Sequence, residues 1–72
     1  MERIKIRNSS HIREVGYDQA AQVLENLFAD GATYWYFDVP QHVADGLFHP
    51  PRGSAGEYFH TKVMCVYDHA RV

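Results

Sequence analysis

Residues Tyr34-Trp35-Tyr36-Phe37 set four aromatic rings side by side, followed by Asp38-Val39-Pro40. Side chains on a strand alternate between its faces, so four consecutive rings cannot all enter one core. Whichever face holds Tyr34 and Tyr36, the other carries Trp35 and Phe37. One pair packs against whatever covers the sheet. The other is left to solvent, a partner chain or a ligand. The chain reads as a small aromatic-faced domain, and a binding module is the function class this favours.

The 72 residues make one domain, spanning positions 1–72, near the lower limit for a self-sufficient core. The 14% aromatic content offsets the short chain, because large rings bury much area per residue. A homodimer would help in the same way. The formal charge of −2 lacks the global basicity of a typical nucleic-acid binder. The distribution is more uneven: Arg3, Lys5, Arg7 and Arg13 place four of the seven basic residues in one short N-terminal stretch. A local basic strip is compatible with this chain; a basic protein is not. Cys65 is the single cysteine, which excludes an intramolecular disulfide and a cysteine-based zinc site. Met1-Glu2-Arg3-Ile4-Lys5 does not lead into the apolar run of a signal peptide, and no stretch approaches a membrane span. The expected setting is cytoplasmic, with no membrane partner.

The apolar periodicity changes once along the chain. Arg3 to Arg7 alternates strictly, as a half-exposed edge strand does. His11 to Tyr17 is a second strand whose rhythm slips once, as at a bulge. Gln22 to Phe28 is a third, and Ala32 to Phe37 a fourth. Two hairpin registers are open for the last pair. A two-residue Asp30-Gly31 turn puts Leu24, Asn26 and Phe28 on the face of Trp35 and Phe37. A three-residue Ala29-Asp30-Gly31 loop, with Gly31 left-handed, puts them with Tyr34 and Tyr36. The second is preferred, because Glu25 then faces Trp35 on the wetter side. Asn26 then lies among aromatics and needs a partner such as a tyrosine hydroxyl.

Beyond Pro40, which suits the first turn of a helix, Val43, Ala44, Leu47 and Phe48 give helical stripes ended by Pro50-Pro51. Ser54-Ala55-Gly56-Glu57 has the capping-box form and opens a second helix with Tyr58, Phe59 and Val63 on its apolar side. Met64 to Val72 fits no single period, although Val63, Cys65 and Tyr67 alternate. The expected fold is α+β: an antiparallel three- to four-stranded meander followed by two short helices packed on one face. Tyr17, Leu24, Phe28, Tyr34, Tyr36, Val43, Leu47 and Phe59 should form most of the core.

Ser9-Ser10-x-Ile12, Val15-Gly16-Tyr17-Asp18, Leu24, Phe28, Gly31, Tyr34-x-Tyr36, Val39-Pro40, Val43, Leu47 and Ser54-x-Gly56-x-Tyr58-Phe59 together resemble the KTSC domain. The resemblance covers about residues 9–63, most of the chain. That small domain is named for the C-terminus of some lysyl-tRNA synthetases and also occurs as stand-alone bacterial and phage proteins. Its hallmark is the central tyrosine-x-tyrosine, here Tyr34 and Tyr36, with Tyr17, Tyr58 and Phe59 as further, mainly structural, positions. The resemblance implies a non-catalytic domain, with RNA binding suggested. The present chain departs from the pattern twice: His60-Thr61-Lys62-Val63-Met64-Cys65 holds one lysine where the family carries several basic residues, and Asn26 replaces an apolar residue.

Three groups of residues are candidates for function. Trp35 is the best ring for stacking a base, with Arg3, Lys5, Arg7 or Arg13 to follow a phosphate backbone. The structural alternative is that Trp35 is covered by the tail or by a second subunit. Arg52-Gly53-Ser54-Ala55-Gly56 joins a fixed cation to close-approach glycines at a helix start, the components of a phosphate site and equally of an ordinary cap. His60 and Lys62 follow on the same helix. His42, Asp45 and His49 share a helix side but read as surface residues rather than metal ligands. Cys65 with His60 or His69 lacks the signature of an activated nucleophile, and a buried, inert Cys65 is expected. Accordingly no catalytic residue, metal or cofactor is expected. The leading expectation is a binding module for RNA, single-stranded nucleic acid or a phosphorylated nucleotide. The alternative is a protein-interaction or self-associating module working through the aromatic face, including a phage protein that binds a host factor or nucleotide signal.

Overall fold

The computed structural model describes residues 3–6, 11–49 and 55–72. Its strands are β1 (Arg3–Lys5), β2 (Ile12–Asp18), β3 (Val23–Phe28), β4 (Thr33–Tyr36) and β5 (His69–Arg71). They form one antiparallel sheet in the order β1-β2-β3-β4-β5. Between β4 and β5 the chain makes α1 (Gln41–Phe48) and α2 (Ala55–Phe59), and α2 runs into a π-helical segment, His60–Met64. The architecture is α+β as expected, with a fifth strand contributed by the tail.

The hairpins follow from local chemistry. Asp18 turns the chain after β2 by accepting the backbone N–H groups of Ala20 and Ala21 on its Oδ1. Between β3 and β4 the loop is Ala29-Asp30-Gly31, with Gly31 at φ +92° and the Gly31 N–H bonded to the Phe28 carbonyl at 3.0 Å. That three-residue loop sets the preferred register: Leu24 faces Tyr36, Glu25 faces Trp35, and Asn26 faces Tyr34. The slip foreseen in the second strand is a bulge between Ile12 and Glu14. It lets Ile12 and Val15 both turn inward, which strict alternation would forbid.

Asp38, at φ +56°, turns the chain out of the sheet, and Pro40 stands at the N-cap of α1. The helices cover one sheet face. Ile12, Val15, Leu24, Tyr36, Val39, Ala44, Leu47, Phe59 and Val63 make the buried core, and Tyr17, Phe28, Tyr34 and Val43 pack half-buried against it. Of the eight residues expected to form most of the core, Leu24, Tyr36, Leu47 and Phe59 are buried and the other four half-buried, while Ile12, Val15, Val39, Ala44 and Val63 supply the rest of the buried set. Burial pushes the phenols of Tyr17, Tyr36 and Tyr58 up. Being protonated, Tyr17 and Tyr58 act as donors: Tyr17 bonds the Val39 carbonyl at 2.5 Å, and Tyr58 the Val43 carbonyl at 3.0 Å. The Tyr58 hydroxyl lies against Gly46 of α1, in the space a Cβ there would take.

Two expectations are corrected. Cys65 is exposed, because the chain is turning there, between the π-helical segment and β5, rather than running as a buried strand. Asn26 is fully buried, yet no tyrosine hydroxyl reaches it: neither Nδ2 nor Oδ1 has a partner among the described residues. Its neighbours across the strands are Val15 and Tyr34. The Ser54 capping box falls outside the described residues, as do Arg7, Arg52 and Gly53.

Candidate functional site

The candidates separate onto two surfaces. On the face away from the helices, one row crosses the sheet: Arg3 of β1 opposite Gly16 of β2, then Glu25 of β3, Trp35 of β4 and Ala70 of β5. Gly16 has no side chain, so Arg3 reaches over β2 and donates its Nε–H to Glu25 Oε1 at 2.6 Å. Trp35 donates its indole N–H to the other carboxylate oxygen at 2.7 Å. Arg3 also lies 3.7 Å from Glu14. Burial alone would push the Glu25 carboxyl up. The Trp35 and Arg3 hydrogen bonds, with the charge of Arg3, outweigh it and hold that carboxyl below its ordinary range. Conversely, the bond to Glu25 raises the Arg3 guanidinium further.

This network decides what the outer face can do. Trp35 stays 37% exposed, so part of its ring is open, but its polar edge is engaged. Arg3 is spent on two carboxylates. Lys5 stands across from Glu14, and Arg13 is exposed at the bulge. Arg3 and Lys5 are therefore interleaved with acidic side chains and make a poor track for a polyanion.

The second surface is concave. At the end of the sheet where β2 begins and β3 ends, α2 and the π-helical segment leave a groove of about 570 Å³. Ile12, Phe28 and Phe59 give it an apolar wall, His11 and His60 bring imidazoles, and Gly56 keeps the helix side low. Glu57 and Met64 complete the lining. The rings are held edge to face, Phe28 to Phe59 at 5.5 Å and Phe28 to Tyr34 at 5.6 Å. The volume is that of a small-molecule site. A π-helical segment in its wall is a feature often found at binding sites.

Of the residues singled out by sequence, Gly56 and His60 meet in this groove, while Arg3 and Trp35 meet on the outer face. Lys62 is exposed and not part of the lining. His42, Asp45 and His49 are all exposed on or beside α1, and no group that could hold a metal occurs among the described residues. The groove residues His11, Ile12, Phe28 and Met64 went unnoticed as site residues, since they come from three distant parts of the chain. The signal that could have found them was the bulge, which turns Ile12 inward beside Phe28.

The comparisons with known proteins agree with this architecture. A solved KTSC domain protein from Yersinia pestis superposes with a TM-score of 0.90 at 25% identity, over 99% of this chain and 96% of that one. A protein of Stutzerimonas stutzeri is 39% identical over 82% of this chain and 79% of its own length. A protein of Tsukamurella paurometabola is 51% identical over 54% of this chain, a match that spans 58% of that relative. The KTSC domain family model matches residues 8–67, a span that takes in β2 to β4 and both helices and stops short of β5, and the chain belongs to the KTSC domain family.

Proposed function

We propose that this chain is a small, non-catalytic binding module for a phosphorylated nucleotide, working in a cytoplasmic setting. The observation that carries the reading is the groove, a concave site of about 570 Å³ with Phe28 and Phe59 in its wall and His11 and His60 in its lining. Aromatic walls suit a base, and imidazoles suit a phosphate when protonated. In the sequence, Arg52 and Ser54 precede α2 and Gly56 by a few positions and carry a cation and a hydroxyl. A single nucleotide is favoured over a long RNA or single-stranded DNA, because the outer-face arginine is neutralised by Glu25 and Glu14.

The test is a titration with mononucleotides, short RNA and short DNA at two salt concentrations. Binding of a mononucleotide is expected, weakening as salt rises. Arg52→Ala should weaken it by roughly 1.5–3 kcal/mol, the worth of a charge-assisted contact, with little change in thermal stability. No binding throughout would remove this reading. It would promote a protein-interaction or self-associating module using the uncovered sheet face, where Trp35 is partly open. Size measured at several concentrations, repeated with Trp35→Ala, tests that second reading.

A further inference from the structure

Asn26 sits at the centre of the covered sheet face, 0% exposed, with both polar ends of its carboxamide unpartnered. Buried polar groups in native proteins are nearly always hydrogen-bonded, and a carboxamide can donate twice and accept twice. An apolar residue of similar size would serve the core better here. The next inward-facing residue along β3 is Phe28, two positions on and thus roughly 7 Å away. Phe28 is itself part of the groove wall. Asn26 itself does not line the groove; along β3, Phe28 is the inward-facing residue that stands between them.

We propose that Asn26 is the specificity-determining residue of the groove. The inference rests on the nucleotide reading above and deepens it. A planar base entering between Phe28 and Phe59 moves the Phe28 ring aside, stacks on the aromatic wall and brings its edge to the Asn26 carboxamide. That carboxamide presents an acceptor and a donor side by side. The complementary edge has an exocyclic amino group beside a ring nitrogen, the arrangement that asparagine reads bidentately on adenine. The ligand class is an adenine nucleotide. On that edge guanine places a carbonyl beside the ring nitrogen, and uracil has no amino group; cytosine carries the same pair at N4 and N3, but its single ring offers less area to stack on Phe28 and Phe59.

The experiment is an NMR titration of the isotope-labelled chain with AMP, CMP, GMP, UMP and ribose 5-phosphate, run in parallel on Asn26→Leu. With AMP, the Asn26 side-chain NH₂ signals should shift together with those of His60 and Met64. Asn26→Leu should raise the melting temperature of the free protein and weaken AMP binding by at least about tenfold, since the bidentate pair is lost. If the groove signals move while the Asn26 amide does not, or if the leucine variant binds AMP as tightly, the role of Asn26 is overturned and the groove reading survives. Equal or tighter binding of CMP, of GMP or of ribose 5-phosphate overturns the adenine assignment in the same way. No response to any nucleotide overturns both proposals.

Discussion

Glu25 and Asn26 are neighbours on β3, and they point to opposite faces of the sheet. Glu25 is the charged one and is itself only 8% exposed, yet each of its oxygens has a donor within 2.7 Å. Asn26 is neutral and wholly enclosed, yet has none. The outer face has spent its polar groups on one another and offers little that a ligand could claim. The inner face keeps an unmet carboxamide behind an aromatic groove. An exposed ring and a nearby arginine look more like a binding surface than a buried asparagine does. The hydrogen-bond accounting points the other way.

The contrast can be broken most forcefully with Asn26→Asp. A carboxylate enclosed there would meet no donor among the described residues, so stability at neutral pH should fall by several kcal/mol. The new carboxyl would have a raised pKa in the folded state. Stability should therefore be near normal below about pH 4 and be lost as pH rises above it. Chemical denaturation across a pH series reads this directly, and a variant as stable as the parent at neutral pH would show that Asn26 is solvated.

Asn26→Leu should move stability the other way, by about 1–2 kcal/mol, because unmet polar groups leave the core while the branching and the number of heavy atoms are kept. A lower melting temperature would mean that the amide has a partner in solution.

Glu25 supplies the smallest and opposite effect. Its folded-state pKa is lowered by Trp35 and Arg3 against the push of burial, so its stabilisation is present above the ordinary carboxylate range. It is lost as pH falls below about 4, through the folded-state value. Glu25→Gln should cost about 1 kcal/mol at neutral pH, discounted because Arg3 is one-third exposed, and should flatten the acid limb of the stability curve. The fluorescence of Trp35 should change over the same acid range in the parent and not in the variant.

Much of this contrast was readable beforehand. Alternation and the Ala29-Asp30-Gly31 loop fix which residues share a face with Tyr34, and placing Glu25 against Trp35 chooses between the two registers. The bulge showed as a slip in apolar rhythm around Arg13. β5 was not legible, because His69-Ala70-Arg71 is exposed throughout and is held by backbone pairing to β4 rather than by a buried pattern. The groove was not legible either. Its walls are assembled from β2, β3 and α2, and no local spacing records which remote segments will meet. The exposure of Cys65 follows from the same turn into β5, where the alternation of Val63, Cys65 and Tyr67 has no strand to express it.

The place where the Tyr58 hydroxyl rests against Gly46 has a consequence for anyone rewriting this sequence. By helix propensity alone, glycine inside α1 is a defect of about 1 kcal/mol that alanine would repair. Here a single added methyl would collide with the phenol that ties α2 to the Val43 carbonyl. The substitution most often recommended for stabilising a helix would instead pry the two helices apart, and with them the wall of the groove.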